Sequence, residues 1–227
     1  RVSPRISTIF LFTFLSMIFA CILAIIRGYN YLPMTNPAEL FDNNINIPIL
    51  GVVPKIEDIS LAKDDIRLNT SIESLIVNLD SMNNGDTDKN IITITSPSPV
   101  NGKSTLSMKL AEGYAKIGKK VLLVDNDLKR GNLAKNYNIK SINEKTFNAI
   151  DETNIENYLV EDNFYLIPRV KRLNNSFQFL YSHVYSEKIQ FFKDYFDYVV
   201  FDTAPILSVA DSSILIEKSD FNLLVVR

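Results

Sequence analysis

The chain has 227 residues, of which 24 are Lys or Arg and 26 are Asp or Glu, so its formal net charge is −2 at pH 7. This charge gives no reason to expect nucleic acid as a partner, and the length accommodates roughly one domain besides a membrane segment and a linker. Cys21 and His183 are the only cysteine and histidine, which excludes a disulfide framework and a cysteine or histidine metal cluster. We expect His183 at a solvated helix position.

The first segment predicts a transmembrane helix. Residues 6–26 carry no charge, are rich in Phe, Ile and Leu, and are bracketed by Arg5 and Arg27. About twenty apolar residues form a helix that crosses a bilayer. A cleaved signal peptide has a shorter apolar core, and a buried core helix seldom stays uncharged for so long. We therefore assign residues 1–27 to one membrane helix with short flanks.

Residues 28–86 are predicted to form a juxtamembrane tether with a leading helix at its end. Prolines 33, 37, 48 and 54 stand among asparagines in the tether. Proline removes a backbone donor and fixes φ, so this composition favours an extended chain with little helix. We expect a folded domain to follow over residues 87–227.

A phosphate-binding turn is predicted at the start of that domain. Residues 91–96 read IITITS and residues 97–105 read PSPVNGKST, which approaches G-x-x-x-x-G-K-[ST] with Pro97 at the first glycine position. Backbone N–H groups at a helix N-terminus, the Lys103 ammonium and the Ser104 hydroxyl suit phosphates and Mg²⁺. A chance Gly-Lys-Ser in a surface loop is the alternative. The expected nucleotide-binding residues are Pro99, Val100, Asn101, Gly102, Lys103, Ser104 and Thr105.

Two further apolar runs end in carboxylates. Residues 121–124 precede Asp125 and Asp127, and residues 198–201 precede Asp202. Strands buried on both faces of a parallel sheet are continuous apolar runs, and ligands collect beyond their carboxyl ends. Each aspartate alone could be a turn or N-cap residue. Three such strand ends in one chain indicate a nucleotide site.

The remaining elements are predicted from periodicity. A helix over residues 104–117 is expected to end at Gly118, and residues 164–167 and 223–226 are expected to be strands. Residues 168–172 read PRVKR, for which the sequence offers no account beyond a basic contact with phosphate or membrane. A helix over residues 177–196 is expected to direct six side chains into the core, namely Phe177, Leu180, Tyr181, Val184, Ile189 and Phe192.

Three segments resemble the motifs of a known family. NGKST, VLLVDNDLKRGNL and YVVFDTAPILSVAD resemble the Walker A, Walker A′ and Walker B motifs of the bacterial tyrosine kinases (BY-kinases) that control capsule and exopolysaccharide synthesis. The D-x-D and the D-T-x-P are similar to this family's patterns. Residues 47–54 resemble the segment after the second membrane helix of polysaccharide co-polymerases. We therefore expect a C-terminal portion of such a protein, without the family's tyrosine-rich tail.

The resemblance implies an α/β, P-loop NTPase-type parallel sheet flanked by helices, and an ATP-dependent tyrosine autokinase with ATP and Mg²⁺ as cofactors. It implies that Ser104 and Asp127 hold the metal, that Asp202 acts through a metal-bound water, and that Asp125 accepts the tyrosine proton. The catalytic set is then Asp125, Asp127 and Lys103.

The resemblance also implies a location and partners. The location is the bacterial inner membrane, with the nucleotide-binding domain in the cytoplasm. The protein substrates are tyrosines of the chain itself or of neighbouring subunits in a homo-oligomer. The other partners are the polysaccharide polymerase and export machinery and membrane lipid.

The chain departs from the family pattern at two places. Pro97, Val100 and Asn101 replace glycines of the phosphate loop, so fewer residues are expected to take positive φ. Residues 70–76 align with a subunit-contact helix of pattern E-x-x-R-x-x-R but lack both arginines. An ATP-binding regulatory module without kinase activity therefore stays open. A partitioning-type ATPase is less favoured, because those proteins reach the membrane through a reversible amphipathic helix.

Overall fold

The computed structural model describes residues 4–29, 47–54, 65–83, 88, 90–131 and 133–226. The chain divides into two compact units, Arg1–Ile49 with Arg227 and Leu50–Val226.

Helix α1 (Pro4–Tyr29) dominates the first unit. Its segment Thr8–Arg27 has a mean hydropathy of 2.9 and is long and apolar enough to cross a membrane, judged by length and composition. Two hydroxyl groups bond within the helix: Thr13 Oγ1 donates to the Phe10 carbonyl at 2.9 Å, and Ser16 Oγ donates to the Thr13 carbonyl at 2.9 Å. Because hydrocarbon offers no hydrogen-bond partners, this internal satisfaction suits a lipid environment.

The second unit is built on a six-stranded sheet with the order β3-β4-β2-β5-β1-β6. Adjacent strands are parallel except β3 and β4, which are antiparallel. The strands are β1 (Ile91–Thr95), β2 (Val121–Asn126), β3 (Leu159–Glu161), β4 (Phe164–Ile167), β5 (Tyr198–Thr203) and β6 (Phe221–Leu224).

Four of the five predicted strands are confirmed. The fifth is also present, but its predicted bounds were wrong. The sequence placed it at residues 223–226, whereas β6 begins at Phe221, which pairs with Ile92 of β1. The Asp220 carboxylate accepts the Ile91 N–H at 3.0 Å, so the pairing of β6 with β1 starts two residues earlier than the apolar run suggests.

Helices cover both faces of the sheet, as the P-loop-type fold requires. Along β2 the side chains alternate, since Val121 and Leu123 belong to one core cluster and Leu122 and Val124 to the other. The first cluster contains residues of α2 and α3, and the second contains residues of α4 to α7. The helices are α2 (Ile66–Asn83), α3 (Lys103–Lys116), α4 (Glu144–Asn148), α5 (Ser176–Leu180), α6 (His183–Tyr195) and α7 (Asp211–Glu217).

Helix α3 ends where the sequence predicts. Gly118 has φ 84, and its N–H donates to the Ala115 carbonyl at 2.9 Å while the Lys119 N–H donates to the Tyr114 carbonyl at 3.1 Å. A left-handed glycine that satisfies the last carbonyls is a common helix terminus.

The predicted helix over residues 177–196 is two helices, α5 and α6. The break arises at Ser182, whose Oγ accepts the Tyr185 N–H at 3.1 Å and so caps a new helix. His183 stands at the start of α6 with its side chain 86% exposed and 3.4 Å from Glu187, which confirms its predicted solvated position.

Half of the predicted core contacts in this segment were wrong. Because of the break, the buried face of α5 does not continue into α6. The Phe177 and Tyr181 rings stack on each other at the exposed surface of α5. The buried members are Leu180, Ile189 and Phe192, and the exposed members are Phe177, Tyr181 and Val184.

Within residues 28–86, where the sequence predicts a tether and a leading helix, α2 packs onto the sheet domain. Leu68, Ile72 and Leu79 are buried, and Asp80 accepts the hydroxyl protons of Tyr114 at 2.9 Å and Tyr198 at 2.8 Å.

Gly113 allows the close approach of α2 and α3. A methyl group at Gly113 would lie 2.8 Å from Cδ1 of Ile76 and 3.0 Å from Cγ2 of Ile72. Alanine gains about 1 kcal/mol of helix propensity over glycine, but overpacking a core costs about 1–3 kcal/mol. We expect Gly113→Ala to lower the free energy of unfolding, measured by urea titration and tyrosine fluorescence.

The matched background is Ile76→Val, which removes the contacting Cδ1 atom. There Gly113→Ala should be less destabilising, because the contact at 2.8 Å is removed and only the contact with Cγ2 of Ile72, at 3.0 Å, remains. An equal effect of Gly113→Ala in both backgrounds would contradict the tight packing of α2 on α3.

Candidate nucleotide site

The phosphate loop connects β1 to α3 and contains left-handed backbone at Val100 (φ 67) and Gly102 (φ 90). The expectation that replacing glycines removes such backbone was wrong at Val100. A β-branched residue is strained at positive φ, and Val100 takes this conformation with its side chain 83% exposed, away from packing conflicts.

The loop is tied to its neighbours. Ser96 is fully buried, its Oγ donates to the Ser98 carbonyl at 2.7 Å, and its carbonyl accepts the Ile206 N–H at 2.9 Å. No side chain caps the N-terminus of α3. The first N–H groups of an α-helix lack intrahelical partners, so those of α3 can bind an anion.

The predicted phosphate-binding residues divide by burial. Lys103 is buried, Ser104 and Thr105 are half-buried at the first turn of α3, and Asn101 is half-buried in the loop. The other three, Pro99, Val100 and Gly102, are exposed and could contribute only backbone groups.

Asp202 joins the phosphate helix to the central strand. Ser104 Oγ donates to Asp202 Oδ2 at 2.6 Å. The single proton of Ser107 Oγ is shared between Asp202 Oδ1 at 3.1 Å and the Lys103 carbonyl at 2.9 Å. Both oxygens of this fully buried carboxylate are therefore held by α3.

The pKa of Asp202 is raised to about 6 because burial disfavours its charged form. The hydrogen bond from Ser104, the Lys103 charge and the Ser107 hydroxyl oppose that rise, and the Asp127 charge adds to it. A cation in this site would favour the ionised carboxylate.

The two D-x-D carboxylates lie beside Asp202 at the same sheet edge. Asp125 pairs in register with Asp202, as β2 and β5 are parallel neighbours. Asn126, which separates Asp125 from Asp127 in the sequence, points to the other face of the sheet, where its Oδ1 accepts the Tyr185 hydroxyl proton at 3.1 Å. Asp127 Oδ1 accepts the Arg130 N–H at 2.8 Å, which fixes the turn after β2.

Asp125 is the most electrostatically unusual group of the site. It is 1% exposed, and neither of its carboxylate oxygens has a hydrogen-bond partner among the described residues. Burial first, and then the charges of Asp202 and Asp127, raise the pKa of Asp125 to about 7, while the Arg169 charge and the backbone N–H of Leu133 oppose the rise. A buried carboxyl with a pKa near neutrality suits proton transfer.

The segment after β4 is also built into the site. Val170 forms a parallel bridge with Ile142, which is completed by hydrogen bonds from Ile142 N–H to the Arg169 carbonyl at 3.2 Å and from Lys171 N–H to the Ile142 carbonyl at 2.8 Å. This bridge gives the basic run 168–172 a structural explanation that the sequence lacked. It positions Arg169, whose Nε is buried without a partner among the described residues.

Sequence reasoning missed three residues of the site. Ser107 could have been found, because it follows Lys103 by one helical turn and faces the same strand. Gly131 lies within the Walker A′-like segment and Arg169 within the basic run 168–172, but neither pattern predicts that Gly131 lies against Asp125 or that the Arg169 charge acts on it.

The residues fit a hard divalent cation in part. Ser104, Asp127 and Asp202 supply the oxygen ligands that Mg²⁺ prefers. Within the described ranges, no group of three or more His, Cys, Asp or Glu side chains forms a ligand set by itself. A metal at this edge would therefore complete its coordination with phosphate oxygens and water, as is usual for Mg²⁺.

Gly131 is required by the position of Asp125. A methyl group at Gly131 would lie 2.0 Å from Oδ1, 2.6 Å from Cγ and 2.7 Å from Oδ2 of Asp125, so the buried carboxylate would have to move. We expect Gly131→Ala to lower the free energy of unfolding by about 1–3 kcal/mol through overpacking. Gly51→Ala is the control, because nothing lies within 4 Å of a methyl group there. Equal urea midpoints for the two variants would contradict the contact.

Comparison with known proteins identifies relatives of the chain. The Acinetobacter johnsonii tyrosine-protein kinase ptk is 26% identical over 98% of this chain and 33% of its own length. The Streptococcus pneumoniae tyrosine-protein kinase CpsD is 33% identical over 60% of this chain and 61% of its own length. The chain therefore spans from a third to about three fifths of these relatives.

Solved structures match most of the chain. The kinase domain of Escherichia coli tyrosine kinase ETK superposes with a TM-score of 0.73 at 24% identity and covers 85% of this chain and 81% of its own. The BceF tyrosine kinase domain gives a TM-score of 0.67 at 25% identity, covering 85% of each chain. The model of the AAA domain family matches residues 89–227, more than half of the chain. The chain thus belongs to the AAA domain family, and its relatives there are bacterial tyrosine-protein kinases.

Proposed function

We propose that the chain is a membrane-tethered, ATP-dependent protein-tyrosine kinase with Mg²⁺ as its metal cofactor. The observation that carries the proposal is the buried Asp125 carboxyl, which lies in register with Asp202 beside the phosphate helix and has a pKa raised to about 7.

The first task of the site is to hold the phosphates. The uncapped N-terminus of α3 offers backbone N–H groups, and the buried Lys103 supplies a positive charge at its first residue. Because Lys103 is buried, its charge is weakly screened and acts strongly on a nearby phosphate.

The second task is to hold the metal. Ser104 and Asp127 would ligate Mg²⁺, and Asp202 would hold it through a bound water. The metal would neutralise charge on the transferring phosphoryl group. The hydrogen bond between Ser104 and Asp202 keeps two of these groups together before the metal binds.

The third task is to receive the proton of the tyrosine hydroxyl. Asp125 is the candidate, since its carboxylate oxygens make no competing hydrogen bond among the described residues. The charges of Asp202 and Asp127 raise the pKa of Asp125, and the charge of Arg169 lowers it.

The wider role follows from the relatives and from α1. We propose residues 1–27 as a membrane helix, residues 28–86 as the tether and leading helix, and residues 87–227 as the kinase domain in the cytoplasm of a bacterium. Its proposed partners are tyrosines on itself or on neighbouring copies and the machinery that polymerises and exports polysaccharide. Membrane lipid would surround α1.

The first test is nucleotide binding. We expect Lys103→Ala to weaken Mg²⁺-ATP binding by about 10-fold or more, because a charge-assisted contact to phosphate is lost. Calorimetry on the full chain in detergent measures the affinity. Lys116→Ala is the matched control, as it removes an exposed lysine from the last turn of the same helix. Equal affinities for the two variants would refute the phosphate site.

The second test separates the two D-x-D carboxylates. Asp127→Asn should reduce Mg²⁺-dependent ATP affinity, while its amide oxygen can still accept the Arg130 N–H and keep the turn. Asp125→Asn should retain ATP affinity and slow phosphotyrosine formation by about 10²–10⁴-fold. Transfer to a tyrosine peptide and calorimetry measure the two quantities.

If the wild-type chain binds Mg²⁺-ATP but forms no phosphotyrosine on a supplied peptide, the kinase proposal fails. An ATP-binding regulatory module would then be the better account. Equal effects of Asp125→Asn and Asp127→Asn on binding would instead contradict the division of roles.

A further inference from the structure

A cavity of about 380 Å³ lies beside the site, on its β4 side. It is lined by residues that follow the D-x-D, including Leu128 and Lys129, and by residues that follow β4, including Val170, Arg172 and Asn175. The volume is within the range of ligand pockets. None of its eight described lining residues is acidic, so its electrostatic potential is set by Lys129 and Arg172.

The two cations are available to a ligand. Both side chains are exposed, and neither forms an ion pair with any residue in the described ranges. The wall that carries Arg172 is fixed in place, because Val170 is bridged to Ile142 and the Asn175 side chain caps α5 by accepting the Gln178 N–H at 3.2 Å. Such a preformed wall loses little conformational freedom on binding.

The position of the cavity relates it to the phosphoryl acceptor. The sheet order places β1, β5, β2 and β4 side by side, so the phosphate loop after β1 and the cavity after β4 are three strand spacings apart, about 15 Å. The aspartates of β5 and β2 lie between them. In an in-line transfer the leaving oxygen is on the phosphate-loop side and the acceptor is on the opposite side. An acceptor that approaches from the β4 side would pass this cavity.

We propose that this cavity binds acidic side chains flanking the acceptor tyrosine, so that the protein selects tyrosines in acidic polypeptide segments. The inference rests on the proposed kinase function and adds a substrate class to it. Lys129 and Arg172 are the specificity residues, and carboxylates are the groups that they bind through charge-assisted hydrogen bonds.

The test uses the full chain in detergent with Mg²⁺ and a non-hydrolysable ATP analogue. Two fluorescent tyrosine peptides are compared, one with glutamates around the tyrosine and one with glutamines at the same positions. Anisotropy gives both affinities at 0.15 M salt, where distant charges are screened. We expect the wild type to prefer the acidic peptide, and Arg172→Gln to reduce that preference by about 3- to 5-fold.

Lys171→Gln is the matched control, because it removes the same charge one residue away, outside the cavity lining. It should leave the preference unchanged, and Arg172→Lys should retain most of it. Equal preferences in Arg172→Gln and Lys171→Gln would overturn the proposal, as would equal wild-type affinities for the two peptides. If Arg172→Gln lost binding to anionic lipid vesicles but kept the preference for the acidic peptide, Arg172 would bind lipid headgroups instead of peptide carboxylates. That result would also overturn the proposal.

The result is separable from that of the kinase proposal. If the wild type forms no phosphotyrosine, the kinase function fails, whereas the anisotropy still reports whether the cavity binds acidic segments. If phosphotyrosine forms at equal rates on the two peptides in the wild type and in Arg172→Gln, the kinase function stands and the acidic selectivity is refuted.

Discussion

The hydrogen bond from Ser104 to Asp202, 2.6 Å long, joins the two parts on which the site depends. One partner lies on the first turn of α3 and the other at the end of β5, in the middle of the sheet. Because Asp202 is fully buried, the bond acts in a low-dielectric environment, where it is strong and costly to leave unmade. It holds the phosphate helix against the strand ends where the other carboxylates lie.

Around this bond the fold buries carboxyl groups whose negative charge Lys103 and Arg169 offset only in part. Asp125 and Asp202 are paired in register, and burial raises the pKa of both. Gly131 lies against Asp125, where a side chain would collide with the carboxylate. Such unfavourable burial is typical of functional sites, where binding of a ligand or cation offsets the cost.

Structural elements far from the phosphates determine the other wall of the site. Phe147, Phe179 and Tyr185 pack together beneath the sheet, and Tyr185 also bonds to Asn126 in the middle of the D-x-D. The same layer brings Ile142 beside Val170 and so fixes the basic segment after β4. Orientation of the carboxylates and placement of the basic cavity are thus consequences of one aromatic core.

Local patterns in the sequence determined the membrane-helix candidate, the positions of β1, β2, β4 and β5, and the residues at the strand ends. Continuous apolar runs followed by Asp125 or Asp202 are visible in the chain, because parallel strands are buried on both faces. The contacts of Gly131 and Arg169 with Asp125, the raised pKa values, and the division of residues 177–196 into two helices were decided by tertiary structure. They depend on which segments pack together across the sheet, and residues distant in sequence carry no local mark of that proximity.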